Sequence, residues 1–537
     1  MPADIAPELA LDPRAPAAPV RPSEVLLRQL SAPLQGPWPP IPLRRTLVDI
    51  LVVLAIALAL RLPYFRWRMF PLNDGGMFAQ MIDDIRLAHF HLPLYTSYNF
   101  LHIPFSYPPL AFYLGALCTL LPGQSTVTVL TWLPLCLSLG VAVAVYFVAR
   151  EIYPSPFHAC LAAICYVAIG RSSEWLMMGG GLTRAPGALF AVVAILLFLR
   201  AWKRQSMRLA AWSGFWTGLA CLFHLEGGMF AAFSLTVLAA LLPSRRLNLH
   251  RLVAAGVVSI VVVLPWVLWL YTHLGFGPLL NASRTGDPFG SGFGVPTLIF
   301  LATATILALV ARFPYLCWLS VLPLVMRRSA STYGAIIGGL CMVWFANALL
   351  VVIFRSREPG SRWRPAVLAV LAVILAVCLN GVPRVHADHL EDLKKNSRAQ
   401  LSPLELQGMR AAAQITPPGA RFFVFNQRFG SWPSDMVAEW FPYFAQRPCV
   451  NTVQGTEWLP NLAFYAARKR EDNLELAGSE RFALMMVAGM KPDYIFLAGP
   501  LDTEQNWLAA IFRKYANSAP IYQNAEVTIY RVNRPQP

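Results

Sequence analysis

Hydrophobic residues in this chain fall into long runs separated by short polar stretches. The runs are 46–62, 108–121, 126–149, 157–170, 185–199, 209–223, 228–243, 252–271, 295–311, 313–326, 333–354 and 365–382. A bilayer-crossing helix needs about 20 apolar residues, so about ten to twelve of these segments read as membrane helices, the shorter ones tilted, broken or re-entrant. Near residue 384 the pattern changes. Short β-rich runs at Arg421–Asn426, Tyr494–Leu497 and Glu526–Val532 alternate with helical stretches near 433–445, 474–489 and 503–515. Ser402-Pro403-Leu404-Glu405 fits a capping box with Pro at the first helical position. The pattern predicts an α-helical polytopic membrane protein over 46–384, followed by a soluble α/β domain over 385–537. The Pro/Ala-rich residues 1–45 read as a disordered cytosolic tail, not a cleavable signal.

One polar stretch interrupts the apolar region. The loop 63–107 holds Asn73-Asp74-Gly75-Gly76, Asp83-Asp84, His89, His91 and His102, and ends at Tyr107-Pro108-Pro109. Helices with little charge beside a loop dense in titratable groups suggest an enzyme working at the membrane face.

Composition supports the membrane assignment. Of 537 residues, 56% are hydrophobic and 13% charged, against about 25% charged in soluble domains. The net charge of +16 does not point to nucleic acid. The basic residues sit at the ends of apolar runs, at Arg200–Arg208, Arg245–Arg251 and Arg355–Arg364, as positive-inside loops do. Eight of the nine cysteines lie within apolar runs and no CxxC pair occurs, so neither a disulfide framework nor a zinc site is expected.

The basic loops also orient the chain. Arg44-Arg45 places the N-terminus inside and 63–107 outside. Lys203-Arg204 and Arg245-Arg246 are inside, so the turn His224–Gly227 and the loop 171–184 are outside. Three polar elements then share one face. Three apolar runs separate two outside loops, so one of them cannot span. Run 108–121, short and opened by two prolines, is the best candidate for a half-helix lining the site. The basic 355–364 stretch favours an extracytoplasmic C-terminal domain.

Several residues on that face could carry chemistry. Asp74, in close-approach Asn-Asp-Gly-Gly backbone, could act as a general base or ligate a divalent cation; the same residues also make an ordinary turn. Asp83 and Asp84 point about 100° apart on a helix; a solvated face or a pair with Arg86 competes with Asp84 binding a sugar hydroxyl. His102 could contact a phosphate or sit at the headgroup level. Glu174 and Arg184 bracket Gly179-Gly180-Gly181, whose amides could form an anion nest while Arg184 pairs with a phosphate. His224 and Glu226 sit between apolar runs, where polar groups are costly. In the C-terminal domain, Trp432, Trp440, Glu457 and Trp458 offer sugar-stacking and hydroxyl-binding groups, or loops packed onto the membrane part.

The order of these features resembles the GT-C class of polytopic membrane glycosyltransferases, of the protein-mannosyltransferase and aminoarabinose-transferase type. The resemblance rests on Asp74 after the first span, the amphipathic 77–91 with Asp83-Asp84, the entry Tyr107-Pro108-Pro109-Leu110, the Arg150–Tyr153 turn and a C-terminal domain after the last span. It implies a polyprenyl-phosphate sugar donor, a hydroxyl acceptor, inversion by direct attack and Asp74 as catalytic base on the extracytoplasmic face. Substrate contacts would come from Asp84, His102, Tyr107, Glu174, Arg184, His224, Glu226, Glu457 and Trp458. The second acid pair of some members is not clearly present, since Glu174 is the only acid in its loop, so metal dependence is left open, with a divalent cation possible. A lipid-linked sugar flippase or other transporter is the alternative. Against it, runs 126–149, 185–199, 228–243, 252–271, 295–311 and 333–354 carry no ionisable residue, which argues against ion coupling.

Overall fold

The computed structural model describes residues 42–66, 74–169, 171–285, 318, 322, 329–356, 401–426, 436–460, 463–467, 479–499 and 507–533. The N-terminal tail up to residue 41, the run 365–382, the run 295–311, all but Trp318 and Leu322 of 313–326, and the Arg428–Pro433 motif with Trp432 lie outside the described residues.

The apolar runs form helices. They are α1 (Leu43–Arg66), α2 (Gly75–Leu87), α3 (Leu110–Cys118), α4 (Thr126–Ile152), α5 (Pro156–Ala168), α6 (Arg171–Met177), α7 (Gly181–Lys203), α8 (Met207–Phe223), α9 (Leu225–Leu241), α10 (Arg245–His273), α11 (Gly277–Thr285) and α12 (Ala330–Ser356). Among the described residues, α4, α7 and α10 are long and apolar enough to cross a membrane. Of their most apolar windows, 78% of α7 but 11% of α10 is buried in the protein. So α7 is the central helix and α10 presents Val257, Ile260, Val261 and Leu268 outward. Helix starts follow local chemistry. Ser125 and Ser206 accept hydrogen bonds from the amides of Thr128 and Leu209, closing the first turns of α4 and α8. At nine residues, α3 is about 13 Å long and cannot cross a core about 30 Å thick.

The loop between α1 and α3 is described from Asp74 onward. After α2 comes a small hairpin, β1 (Tyr95–Thr96) against β2 (Ile103–Pro104), around a 3-10 turn at Tyr98–Phe100.

The C-terminal unit contains α13 (Pro403–Ile415), β3 (Phe422–Asn426), α14 (Met436–Ala445), α15 (Glu480–Met490), β4 (Tyr494–Ala498), α16 (Trp507–Ala516), β5 (Pro520–Gln523) and β6 (Val527–Arg531). The Ser402/Glu405 capping box is present with Pro403 at the first position. The sheet order is β3-β4-β6-β5, with β3 parallel to β4 and the other pairs antiparallel. All five residues of β3 are buried because both faces are covered. Phe422 meets Phe441 of α14 on one face, and Phe423 and Phe425 meet Phe512 of α16 on the other. A strand buried on both sides reads as a continuous apolar run, here Phe-Phe-Val-Phe.

The first loop and the C-terminal unit are bolted together by side chains spaced hundreds of residues apart. Asn99 Nδ2 donates to the Cys449 carbonyl at 3.0 Å, and the Cys449 amide donates back to Asn99 Oδ1 at 2.7 Å. The Tyr98 hydroxyl donates to the Glu439 carbonyl at 2.6 Å, and the Gly76 amide donates to Glu439 Oε1 at 2.9 Å. The Tyr443 hydroxyl donates to Asp83 Oδ2 at 2.8 Å. Burial, with nearby Glu439 next in weight, pushes the Tyr98 hydroxyl well above its usual range. Burial and the Asp83 carboxylate do the same to Tyr443. Both phenols therefore stay protonated and keep donating.

Asn99→Ala removes both buried bonds to Cys449 across this seam. The expected cost is about 2–4 kcal/mol of stability, read as a lowered unfolding midpoint of the detergent-solubilised chain. An unchanged midpoint would show that this bolt does not hold the two parts together.

Candidate active site

Asp74 is the last residue before α2. Its carbonyl accepts from the Phe78 amide at 2.8 Å, yet its side chain does not cap the helix. The backbone is left-handed, with φ 74°, a conformation that costs a non-glycine residue about 1–2 kcal/mol. An aspartate at this position ordinarily accepts from its own helix amides. Here the carboxylate turns away, toward α7. Oδ2 lies 3.1 Å from Arg184 Nη2, with the side chains only 14% and 11% exposed. Oδ1 accepts from the side-chain amide of Gln454, in the C-terminal unit.

The backbone comes close on both sides. A Cβ at Gly76 would lie 2.3 Å from the Glu439 carbonyl oxygen, so this turn needs glycine to seat against α14. A Cβ at Gly180 would lie 2.5 Å from Arg184 Nη1 and 2.8 Å from Asp74 Oδ2. The glycine run after α6 thus makes room for the ion pair. It is not an anion nest at its helical end. The amides of Gly181, Leu182, Thr183 and Arg184 all donate to carbonyls of residues 178–180.

Arg184 stacks its guanidinium 4.5 Å from the ring centre of Trp175. Its Nη1 is buried and donates to nothing among the described residues. A guanidinium held by one carboxylate and one ring, with a spare buried donor, is suited to a second anion.

Beside this pair stands an aromatic wall. Tyr107 packs 5.2 Å from Trp458 and 6.4 Å from His224. Trp458 Nε1 donates to Glu457 Oε1 at 3.1 Å. His224 is buried in the joint where α8 ends and α9 begins. Glu226 accepts from the Ser329 hydroxyl. Tyr333 of α12 lies within electrostatic reach of Glu226, Arg184 and Tyr107 together. Outside Glu457, a cavity of about 370 Å³ is bounded by Asn281, Arg284 and Thr285 of α11 and by Leu459 and Tyr465.

The structure therefore gathers Asp74, Arg184, Tyr107, His224, Glu226, Glu457 and Trp458 around one region. Other candidates lie elsewhere. Asp84 is buried and accepts from Gln80, from Thr96 Oγ1 at 2.6 Å, and from the Ser97 amide and hydroxyl at 2.9 and 2.5 Å. Its carboxylate ties the loop to α2 and has its acceptor positions filled by the protein. Asp83 accepts from Thr126 and Tyr443 and pairs with Arg86 at 3.4 Å. His102 is exposed, edge-on to Tyr95 at 6.0 Å. Trp440 is fully buried against Gly75 and Phe444, so it packs rather than faces a ligand. Glu174 falls on α6, but its side chain lies outside what is described. Among the described residues no three His, Cys, Asp or Glu side chains gather to hold a metal.

Sequence reasoning missed Gln454, Trp175, Ser329 and Tyr333. Gln454 stands within Asn451–Trp458, a segment notable for aromatics beside amides and acids, but nothing local marks it as a partner of Asp74.

Residues 106–269 match the model of the dolichyl-phosphate-mannose-protein mannosyltransferase family. The structure resembles that of ArnT from Cupriavidus metallidurans, solved with undecaprenyl phosphate bound. The TM-score is 0.50 at 14% identity, covering 91% of this chain and 99% of that one. The family match over residues 106–269 and the shared fold make the chain similar to membrane glycosyltransferases of the GT-C class. No curated protein sequence matches it significantly. The short helix α3 packs against α2, the helix that follows Asp74.

Two substitutions separate architecture from chemistry. Gly180→Ala keeps a helical φ of −63° but drives a methyl into the ion pair; activity should fall about tenfold or more while the unfolding midpoint barely moves. Asp84→Ala should do the reverse, costing about 2–4 kcal/mol of stability, with the folded fraction retaining its donor KM.

Proposed function

We propose that this chain transfers a sugar from a polyprenyl-phosphate donor to a hydroxyl acceptor on the extracytoplasmic face of the membrane, with Asp74 as general base. The observation that carries the reading is the Asp74–Arg184 pair at 3.1 Å, set where the first loop, α7 and the C-terminal unit meet.

The chemistry follows from the charges. The acceptor hydroxyl attacks the anomeric carbon while the bond from that carbon to the phosphate oxygen breaks. The hydroxyl proton passes to Asp74, and the departing polyprenyl phosphate takes up a negative charge. Arg184 lies beside both events. Its Nη2 holds the base, and its Nη1, without a hydrogen-bond partner among the described residues, is the natural donor to the phosphate as charge develops there. Attack opposite the leaving group inverts the anomeric carbon. The match to a fold solved with undecaprenyl phosphate supports a donor of this kind. Glu457 borders both the aromatic wall and the outer cavity, which suits an acceptor arriving from the C-terminal side.

A neutral Asp74→Asn side chain cannot accept the proton. Transfer from a panel of labelled polyprenyl-phosphate sugars in liposomes should fall by about 10²–10⁴ with the protein still folded. Full activity of Asp74→Asn would remove Asp74 from the role of base.

A further inference from the structure

The group on Asp74 Oδ1 comes from neither the membrane helices nor the first loop. It is Gln454, only 3% exposed, 380 residues further along the chain. We infer that Gln454 is a positioning residue for Asp74, so that the C-terminal unit completes the catalytic base from outside the membrane. This inference rests on the reading of Asp74 as the base.

Three observations support it. First, the turn that carries Gln454 is wedged in place. Gly455 has φ +83°, and a Cβ there would lie 2.4 Å from Ile103 Cδ1 and 3.1 Å from Met77 Sδ. The turn therefore sits hard on β2 and α2, the elements that flank Asp74. Second, the rest of the Asp74 turn is held by the same unit. Glu439 takes the Gly76 amide at 2.9 Å, and its own carbonyl is held by Tyr98. Third, Asp74 forgoes the helix cap that its position offers, so its carboxylate is aimed by side chains alone. Arg184 holds one oxygen and Gln454 the other. Opposite a carboxylate, the Gln454 amide must present its NH2 group.

The two bonds leave base capacity intact. An ionised carboxylate has about four acceptor positions over its two oxygens, so one on each oxygen stays open for an acceptor proton. Both bonds stop the group from rotating. The other titratable and charged groups around it are Glu439 from α14, Glu457 from the 3-10 turn, and, beyond the guanidinium, Tyr107, Glu226 and Tyr333. None of these contacts replaces the Gln454 donor on Oδ1 among the described hydrogen bonds.

The test compares full-length wild type with Gln454→Met, nearly isosteric but without a donor, and with Gln454→Glu. Initial rates are read against donor concentration for whichever labelled polyprenyl-phosphate sugar the wild type turns over. In Gln454→Met, kcat should fall about tenfold or more while donor KM changes less than about threefold. In Gln454→Glu, a second carboxylate replaces the donor opposite Oδ1, and kcat should fall further. A loss carried by donor KM, or by a lowered unfolding midpoint, in both variants would reduce Gln454 to a structural contact, and unchanged kinetics would remove it altogether. Transfer retained in Asp74→Asn would instead overturn the base reading, whatever the Gln454 variants do. Infrared spectra, with Asp74→Asn subtracted to assign the carboxylate band, read the lost hydrogen bond without a donor. If the band lies at the same frequency in wild type and Gln454→Met, the inference fails.

Discussion

A carboxylate lifted out of bulk water at a membrane surface has to be matched by charge and hydrogen bonds, and the arrangement around Asp74 follows from that need. Its side chain is mostly covered, so its desolvation is offset only by donors brought to it. The Arg184 guanidinium at 3.1 Å supplies the charge, and removing one member of a buried pair is far more damaging than the pair is stabilising. Arg184 sits in the first turn of α7, the most enclosed of the apolar helices. The pair therefore fixes the first loop relative to the bundle. Gly180 is the local consequence, because a side chain there would occupy the space of the two charged groups. The left-handed backbone at Asp74 is another. Such strain persists where the surroundings over-determine it, and here α7, α14 and the Gln454 turn all do so.

The acids of the first loop divide their work. Asp83 and Asp84 are neighbours on α2, about 100° apart, and they face different elements. Asp83 reaches α4 and α14 through Thr126 and Tyr443. Asp84 closes the loop onto α2 through Thr96 and Ser97. Each has its lone pairs taken by hydroxyls and amides of the protein. Asp74 alone of the three faces an arginine whose second nitrogen has no hydrogen-bond partner among the described residues. The density of titratable groups that marks this loop thus has two origins: an ion pair with α7 at Asp74, and joinery over the next ten residues. A polar loop at the membrane surface, pressed under a folded domain, needs that joinery because buried polar groups without partners are costly.

Much of this was legible in the sequence, for physical reasons. Length and apolarity mark the helices, so the described spans fall where the runs lie. Pro108-Pro109 and a short run foretell a helix too short to cross, and α3 covers nine residues. The capping box at Ser402 and the Phe-rich β3 are local signals and appear as read. The rest depended on three-dimensional partners. Strand β5, Pro-Ile-Tyr-Gln, has no apolar alternation and exists because β6 offers an edge. Helix α6 lies in a stretch read as a polar loop, and the glycines beyond it serve the Asp74–Arg184 approach. Asp84 and Trp440 look like ligand-binding residues in isolation. Only their neighbours show an acid already satisfied and an indole packed against a glycine backbone. Gln454 had no local signal, since its role is defined by a carboxylate 380 positions away.

The same dependence explains why the C-terminal unit sits so tightly on the membrane part. It shares with the first loop an apolar cluster, Met77, Phe78 and Ile103 with Val437, Trp440 and Phe441, and around it a set of mostly buried polar contacts. Such an interface is stable only when nearly complete, because each missing partner leaves a desolvated donor or acceptor. Tyr98 and Tyr443 contribute by staying protonated, with burial and neighbouring acids holding their hydroxyls as donors. Tyr107 then meets His224 of the bundle on one side and Trp458 of the C-terminal unit on the other. The wall of the site is therefore built from both parts, and neither half presents it alone. A donor anchored in the membrane and an acceptor arriving from outside would approach from opposite sides of that seam. Under the proposed reading, a base on the seam would let one carboxylate serve both.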